Sequence, residues 1–126
     1  MEQRIGQIAV LFTNMRDQMK FYHWTTKSYS RHKASDKLVN SLTTNIDLFI
    51  ESMQGSRGVK LSVPSNSQVD LSNINDEDII TVLTTFRQYL SETLPTLLNR
   101  NDTELLNIRD SMLTDVNQTL YLFMLK

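Results

Sequence analysis

Apolar residues recur at alternating steps of three and four through most of the chain, and that rhythm constrains the fold more than any other feature. The first set is Ile5, Ile8, Phe12, Met15, Met19 and Tyr22, and the second is Ala34, Leu38, Leu42, Ile46, Phe49 and Met53. A third set runs Ile79, Leu83, Phe86, Leu90, Leu94 and Leu97, and a fourth Leu105, Ile108, Met112, Val116, Leu120 and Phe123. A helix of 3.6 residues per turn gathers such spacing into one apolar stripe, whereas a strand would scatter it over both faces. Four helices are predicted, each about 23–24 residues and roughly 35 Å long at 1.5 Å per residue.

Local signals punctuate the stripes. The pattern breaks across Trp24–Ser30, where Ser30 is placed to cap the second helix, and Gly55 is placed to end it. Asn75 or Asp76 opens the third helix, with Asp76, Glu77 and Asp78 suited to the positive end of its dipole. Pro95 should kink that helix or end its regular part, and Asn101 or Asp102 caps the fourth. Residues 56–74 carry no sustained period and are rich in Ser and Asn. They read as a connection able to span the bundle at ~3.3 Å per residue. Two helical hairpins joined by one long crossover between helices 2 and 3 make an all-α, ferritin-like four-helix bundle, a single domain over residues 1–126.

Composition removes several function classes. Three glycines and two prolines are too few for an all-β sandwich, and Gly6, Gly55 and Gly58 cannot form a dinucleotide or phosphate loop. The absence of cysteine excludes disulfides, thiolate-zinc sites and a thiol nucleophile. With only His23 and His32, no three-histidine site can form within one chain. No stretch approaches the ~20 apolar residues of a membrane span, so a cytoplasmic protein is expected. A net charge of −1 argues against general nucleic-acid binding, although residues 1–37 hold seven Lys/Arg against three Asp/Glu.

The second helix carries polar residues that a core-packing helix does not require. His32 and Asp36 are one turn apart, as are Asp47 and Glu51, and the two aspartates lie on nearly one side of the helix. The pairs are separated by ~16 Å along the axis, too far to share one ion within one chain. Yet the residue numbers 32 and 51, and 36 and 47, share the sum 83. Two copies of the helix crossing antiparallel near Ser41–Leu42 would bring His32 to the partner's Glu51, and Asp36 to the partner's Asp47. An isologous homodimer would do so twice. His23, across the first turn, can reach the same region. Two histidines and three carboxylates suit Fe, Mn or Zn better than Ca or Mg. A Glu-x-x-His sequence, the mark of a carboxylate di-iron site inside one bundle, does not occur.

The order His23-Trp24, His32, Asp36, Asp47, Glu51 resembles the inter-subunit ferroxidase motif of the Dps proteins, or mini-ferritins. The step from His23 to His32 is about three residues shorter than in that family, and no Lys-rich tail is present. The resemblance implies Fe(II) binding between subunits, oxidation by peroxide or oxygen, and passage onward as Fe(III), with Zn or Mn as surrogates. It implies His23 and His32 as nitrogen ligands, Asp36 and Asp47 as terminal or outer carboxylates, and Glu51 as the bridging or principal anchor. Trp24 would donate an electron or pack. A larger cage is a further possible assembly. The final stretch, Asn107–Lys126, is also similar to the ending of short ferritin-like proteins of large DNA viruses and phages, which places the chain in a cell or an infected host. The alternative is a non-enzymatic viral or phage scaffold for partner binding, its polar set structural.

Overall fold

The computed structural model describes residues 1–125; Lys126, the end of the Asn107–Lys126 stretch, lies outside them. The chain is all-helical, with no strand among the described residues. Helix α1 spans Glu2–Thr25, α2 Tyr29–Arg57, α3 Asp78–Gln88 and α4 Thr103–Phe123. Beyond Gln88, α3 loosens into a π turn at Tyr89–Thr93 and a 3₁₀ turn at Leu94–Leu97. Pro95 explains the loss of regularity, because it offers no N–H and its ring crowds the carbonyl four residues earlier.

Two helix boundaries differ from the sequence expectation. Ser28, not Ser30, caps α2: its backbone is extended and its hydroxyl accepts the Arg31 N–H at 3.3 Å. Gly55 is absorbed into the helix, which ends one turn later at Gly58, where φ of +67° lies in the left-handed region that favours glycine. The extra turn carries Arg57 to Asp102, at the start of α4. Asn75 opens α3 as expected, its side-chain oxygen accepting the N–H groups of Glu77 and Asp78 at 3.0 and 2.7 Å. Asp102 precedes α4 but makes no capping bond to it. Its carboxylate instead accepts from Asn99 and Arg57.

The predicted stripes meet in one core. Ile5, Ile8, Phe12, Met19, Leu38, Leu42, Phe49, Met53, Ile79, Leu83, Phe86, Leu90, Leu105, Met112 and Val116 are all buried. Met15, Leu97, Ile108 and Leu120 pack at its margin, partly covered. At the centre the Phe12 ring meets Phe49 of α2 edge-on at 5.3 Å, and Phe86 of α3 and Tyr89 just past its end at 6.3 Å each. Truncating such a buried aromatic typically costs about 3–5 kcal/mol. Helix α2 is the hub, packed along both α1 and α4, while α3 packs on α4.

The crossover runs the length of α1. Ser62 donates its N–H to the Glu2 carbonyl, Asp70 to the Asn14 side chain, and Ser72 to the Gln18 side chain, whose amide answers to the Ser72 carbonyl. Asp76 then meets Tyr22 near the end of α1. The connection therefore returns the chain to the starting end of α2, and α3 descends in the same direction as α2. Gly6 permits this path: a Cβ there would stand 2.0 Å from the Ser62 carbonyl oxygen. Among the described residues, no helix is long and apolar enough to cross a membrane.

Candidate metal centre

The last turn of α1 and the first turns of α2 bring His23 and His32 face to face, their rings stacked at 3.9 Å and 17° apart. The carbonyls of a helix's last turn lack helical partners. His32 supplies one: its Nδ1 lies 2.8 Å from the His23 carbonyl oxygen. His23 answers symmetrically, with Nδ1 2.7 Å from the His32 carbonyl oxygen. A carbonyl can only accept, so both Nδ1 atoms carry hydrogen, and in the neutral rings both Nε2 atoms present lone pairs. This is the arrangement by which outer hydrogen bonds fix metal-ligating imidazoles. Ser35, fully buried beneath them, also donates to the His32 carbonyl at 3.2 Å.

Asp36 completes the group. Its Oδ1 stands 3.8 Å from His23 Nε2 and 3.4 Å from the Lys20 ammonium. The nitrogen lone pair and the carboxylate oxygen face one another as acceptors, an arrangement that calls for a cation or a proton between them. Lys20 also lies 5.6 Å from the centroid of the Trp24 ring. Trp24 is 61% exposed and meets Phe21 edge-on at 5.3 Å, so it is not a core residue.

The turn that sets this geometry is held from behind by a polar knot. Asp76 accepts from the Tyr22 hydroxyl at 2.7 Å and from Thr26 at 2.6 Å. Arg31 bonds the Tyr22 hydroxyl, the Asp76 carbonyl and the Phe123 carbonyl, and stacks over the Phe123 ring. All four helix ends at this pole are thereby joined. The Thr26 hydroxyl, helped by Tyr22, holds the Asp76 carboxyl below the usual carboxylate range, while burial raises the Tyr22 phenol.

Asp47 and Glu51 lie farther along α2, both exposed, and the chain does not fold them onto the histidines. Among the described residues, no group of three or more His, Cys, Asp or Glu side chains is placed to hold an ion within one chain. The sequence spacing therefore brings together His23, His32 and Asp36 but not Asp47 and Glu51. The outward side of α2 forms a polar stripe of its own: Lys33, Lys37, Asn40, Thr44, Asp47 and Glu51 are all exposed at steps of three and four. It is basic toward its start and acidic toward its end.

Lys20, Ser35 and the Asp76 knot escaped the sequence reading. Lys20 was signalled only by standing three residues before His23, on the same face of α1, and Ser35 by being a small polar residue on an apolar side of α2.

Residues 23–123 match a family of unknown function (DUF5856). No curated protein and no solved structure matches the chain.

Proposed function

The chain belongs to the DUF5856 family, and we propose that it is a Dps-like, ferritin-like protein that binds Fe(II) as substrate between two copies of itself and oxidises it. The observation that carries this reading is the reciprocal hydrogen bonding of His23 and His32, which leaves both Nε2 atoms as acceptors, that of His23 standing 3.8 Å from Asp36 Oδ1. Nitrogen and carboxylate donors together fit first-row divalent ions.

His23, His32 and Asp36 would give a first-row ion at most three donors from one chain, short of its usual four to six, and within one chain they are not placed to hold it. The α2 stripe supports a second copy as the source of the rest. Crossed antiparallel near Ser41–Leu42, two such stripes oppose lysines with acids at both ends, and set Asp47 and Glu51 of each chain beside His32 and Asp36 of the other. A two-fold interface makes two equivalent sites. The crossover that returns along α1, leaving α2 and α3 running the same way, supports the ferritin-like plan. His23 and His32 would supply nitrogen, Glu51 the principal anchor, and Asp36 and Asp47 the remaining carboxylates. In the overall reaction two Fe(II) each give one electron to a hydrogen peroxide, which with two protons becomes two waters. Trp24, exposed and next to His23 in the chain, would pass an electron.

The test is Fe(II) oxidation with peroxide by the wild type, Glu51→Ala and Glu92→Ala. Wild type and Glu92→Ala should react alike and Glu51→Ala should lose most of the rate. Equal rates for all three would overturn the assignment. A second reading, a partner-binding scaffold without catalysis, is favoured by the exposed rings of Phe21, Trp24 and Tyr29. Protein purified under native conditions without Fe, Mn or Zn, and inert toward added Fe(II), would favour it.

A further inference from the structure

Past the end of α3 the chain leaves α geometry for a reason that can be read bond by bond. In the π turn of Tyr89–Thr93, the Leu94 N–H reaches back five residues to the Tyr89 carbonyl. The next bond of that series would come from residue 95, but Pro95 has no N–H. Arg109 of α4 supplies the missing donor, its Nη1 3.0 Å from the Leu90 carbonyl. The wide turn is thus held open by a side chain only 16% exposed. Turns of this kind recur at functional sites.

Between this turn and α1 lies an open cavity of about 410 Å³, within the ~300–1,000 Å³ range of small-molecule sites. Leu11, Met15 and Phe86 give it an apolar wall. Tyr89 lines it too, its ring partly buried and held edge-on against Phe12. The phenol bonds to no side chain among the described residues, and burial pushes it up to about 12, so it is a neutral donor at any physiological pH. Asn14 lines the same cavity, and because its side-chain oxygen accepts the Asp70 N–H, its amide N–H groups are left as donors. No described lysine or arginine lines the cavity, and Glu92 stands exposed at its edge. An anion would enter with no counter-charge.

We propose that this cavity is a binding site for an uncharged, mainly apolar molecule carrying one hydrogen-bond acceptor, such as an aryl ketone, with Tyr89 and Asn14 as donors to its oxygen. Water can satisfy either donor but gains nothing from the apolar wall. A ligand with a carbonyl on an apolar body satisfies both, burying Leu11, Met15 and Phe86 while replacing the water's hydrogen bonds. Tyr89 supplies the selectivity, since a phenol kept neutral by its surroundings favours an acceptor over a purely hydrocarbon ligand of the same shape. The site shares no residue with His23, His32 and Asp36, and it does not depend on the metal reading.

The experiment is an amide NMR titration of the full chain with three probes: acetophenone, α-methylstyrene, which has a methylene in place of the carbonyl oxygen, and benzoate. It compares wild type with Tyr89→Phe, which keeps the ring against Phe12, and with Met15→Trp, which fills the cavity. In the wild type acetophenone should shift the amides of Leu11 and Asn14 and bind about fivefold more tightly than α-methylstyrene, the scale of one net hydrogen bond. Benzoate should bind no more tightly than α-methylstyrene. Tyr89→Phe should erase the preference for acetophenone, and folded Met15→Trp should bind neither. The proposal is overturned by an absence of acetophenone binding in the wild type, by a preference that survives in Tyr89→Phe, or by shifts gathered instead at the exposed rings of Phe21 and Trp24. Should Met15→Trp not fold, the Tyr89→Phe comparison alone decides.

Discussion

Neither His23 nor His32 can turn its ring without breaking a hydrogen bond that the other residue's backbone receives. The two side chains thereby lock the end of α1 to the beginning of α2 and each fixes the other's tautomer. Such mutual dependence is measurable. A double-mutant cycle of His23→Ala and His32→Ala, followed by urea unfolding, should give a coupling of about 1 kcal/mol, within the range for residues in direct contact. Simple additivity would mean that the stacked arrangement contributes nothing to the fold.

Complementation tests the two-fold site. His32→Ala and Glu51→Ala chains should each be nearly inactive in Fe(II) oxidation alone. Unfolded together and refolded, half of the pairs would be mixed, and each mixed pair would hold one intact site and one doubly damaged one. Activity should return to about a quarter of wild type. No recovery, with dimers demonstrably mixed, would place all ligands on one chain.

The glycines should respond in opposite directions. Gly6→Ala sets a methyl 2.0 Å from the Ser62 carbonyl oxygen and should cost about 1–3 kcal/mol as the crossover is pushed off α1. Gly55 has open space around it inside a helix, so Gly55→Ala should stabilise by about 0.5–1 kcal/mol. Gly58→Ala, in the left-handed region, should destabilise by about 1 kcal/mol. Thermal or urea midpoints of the three variants check the order.

Acid should open the molecule at its two poles. Hydrogen bonds from Arg57 hold the Asp102 carboxyl below its usual range, and those from Thr26 do the same for Asp76. A carboxyl whose folded pKa is depressed contributes stability that is present above the unfolded value, about 3.9, and lost as pH falls through the folded one. Stability should thus fall steadily below about pH 4. Asp115, raised chiefly by burial, offsets a small part of this because its protonation favours the fold. Asp102→Asn should cost about 3 kcal/mol near neutral pH, since Arg57, only 11% exposed, would lose its charged partner. At the alkaline end burial pushes the Tyr89 phenol to about 12, so its contribution is lost as pH rises from 10 through 12. Urea unfolding from pH 3 to 11 resolves both limbs, and an acid limb unchanged in Asp102→Asn would remove that pair from the account.

Much of this was written in the periodicity. Burial follows the helical repeat, so the apolar stripes named the core, and among the polar residues left over on α2 are His32 and Asp36, which the structure sets beside His23. What periodicity cannot give is the rotation of one helix against another. Lys20 is an ordinary lysine until α1 presents it to Asp36, and Asp102 looks like a helix cap until α2 runs past Gly55 and delivers Arg57. The choice between Gly55 and Gly58 was likewise settled by that tertiary contact, because either glycine alone would serve as a helix end.

Asn14, Gln18 and Gln54 hold the crossover by its peptide groups. Backbone is the one part of a chain that substitution leaves unchanged. Between its ends, where Val59, Leu61 and Ile74 pack against the core, the crossover is therefore free to drift in sequence and carries Val63, Val69 and Leu71 exposed, while its path over the bundle stays fixed. Variation among relatives should concentrate there, and the demand for constancy should fall instead on three amide side chains and one glycine of the helices it crosses.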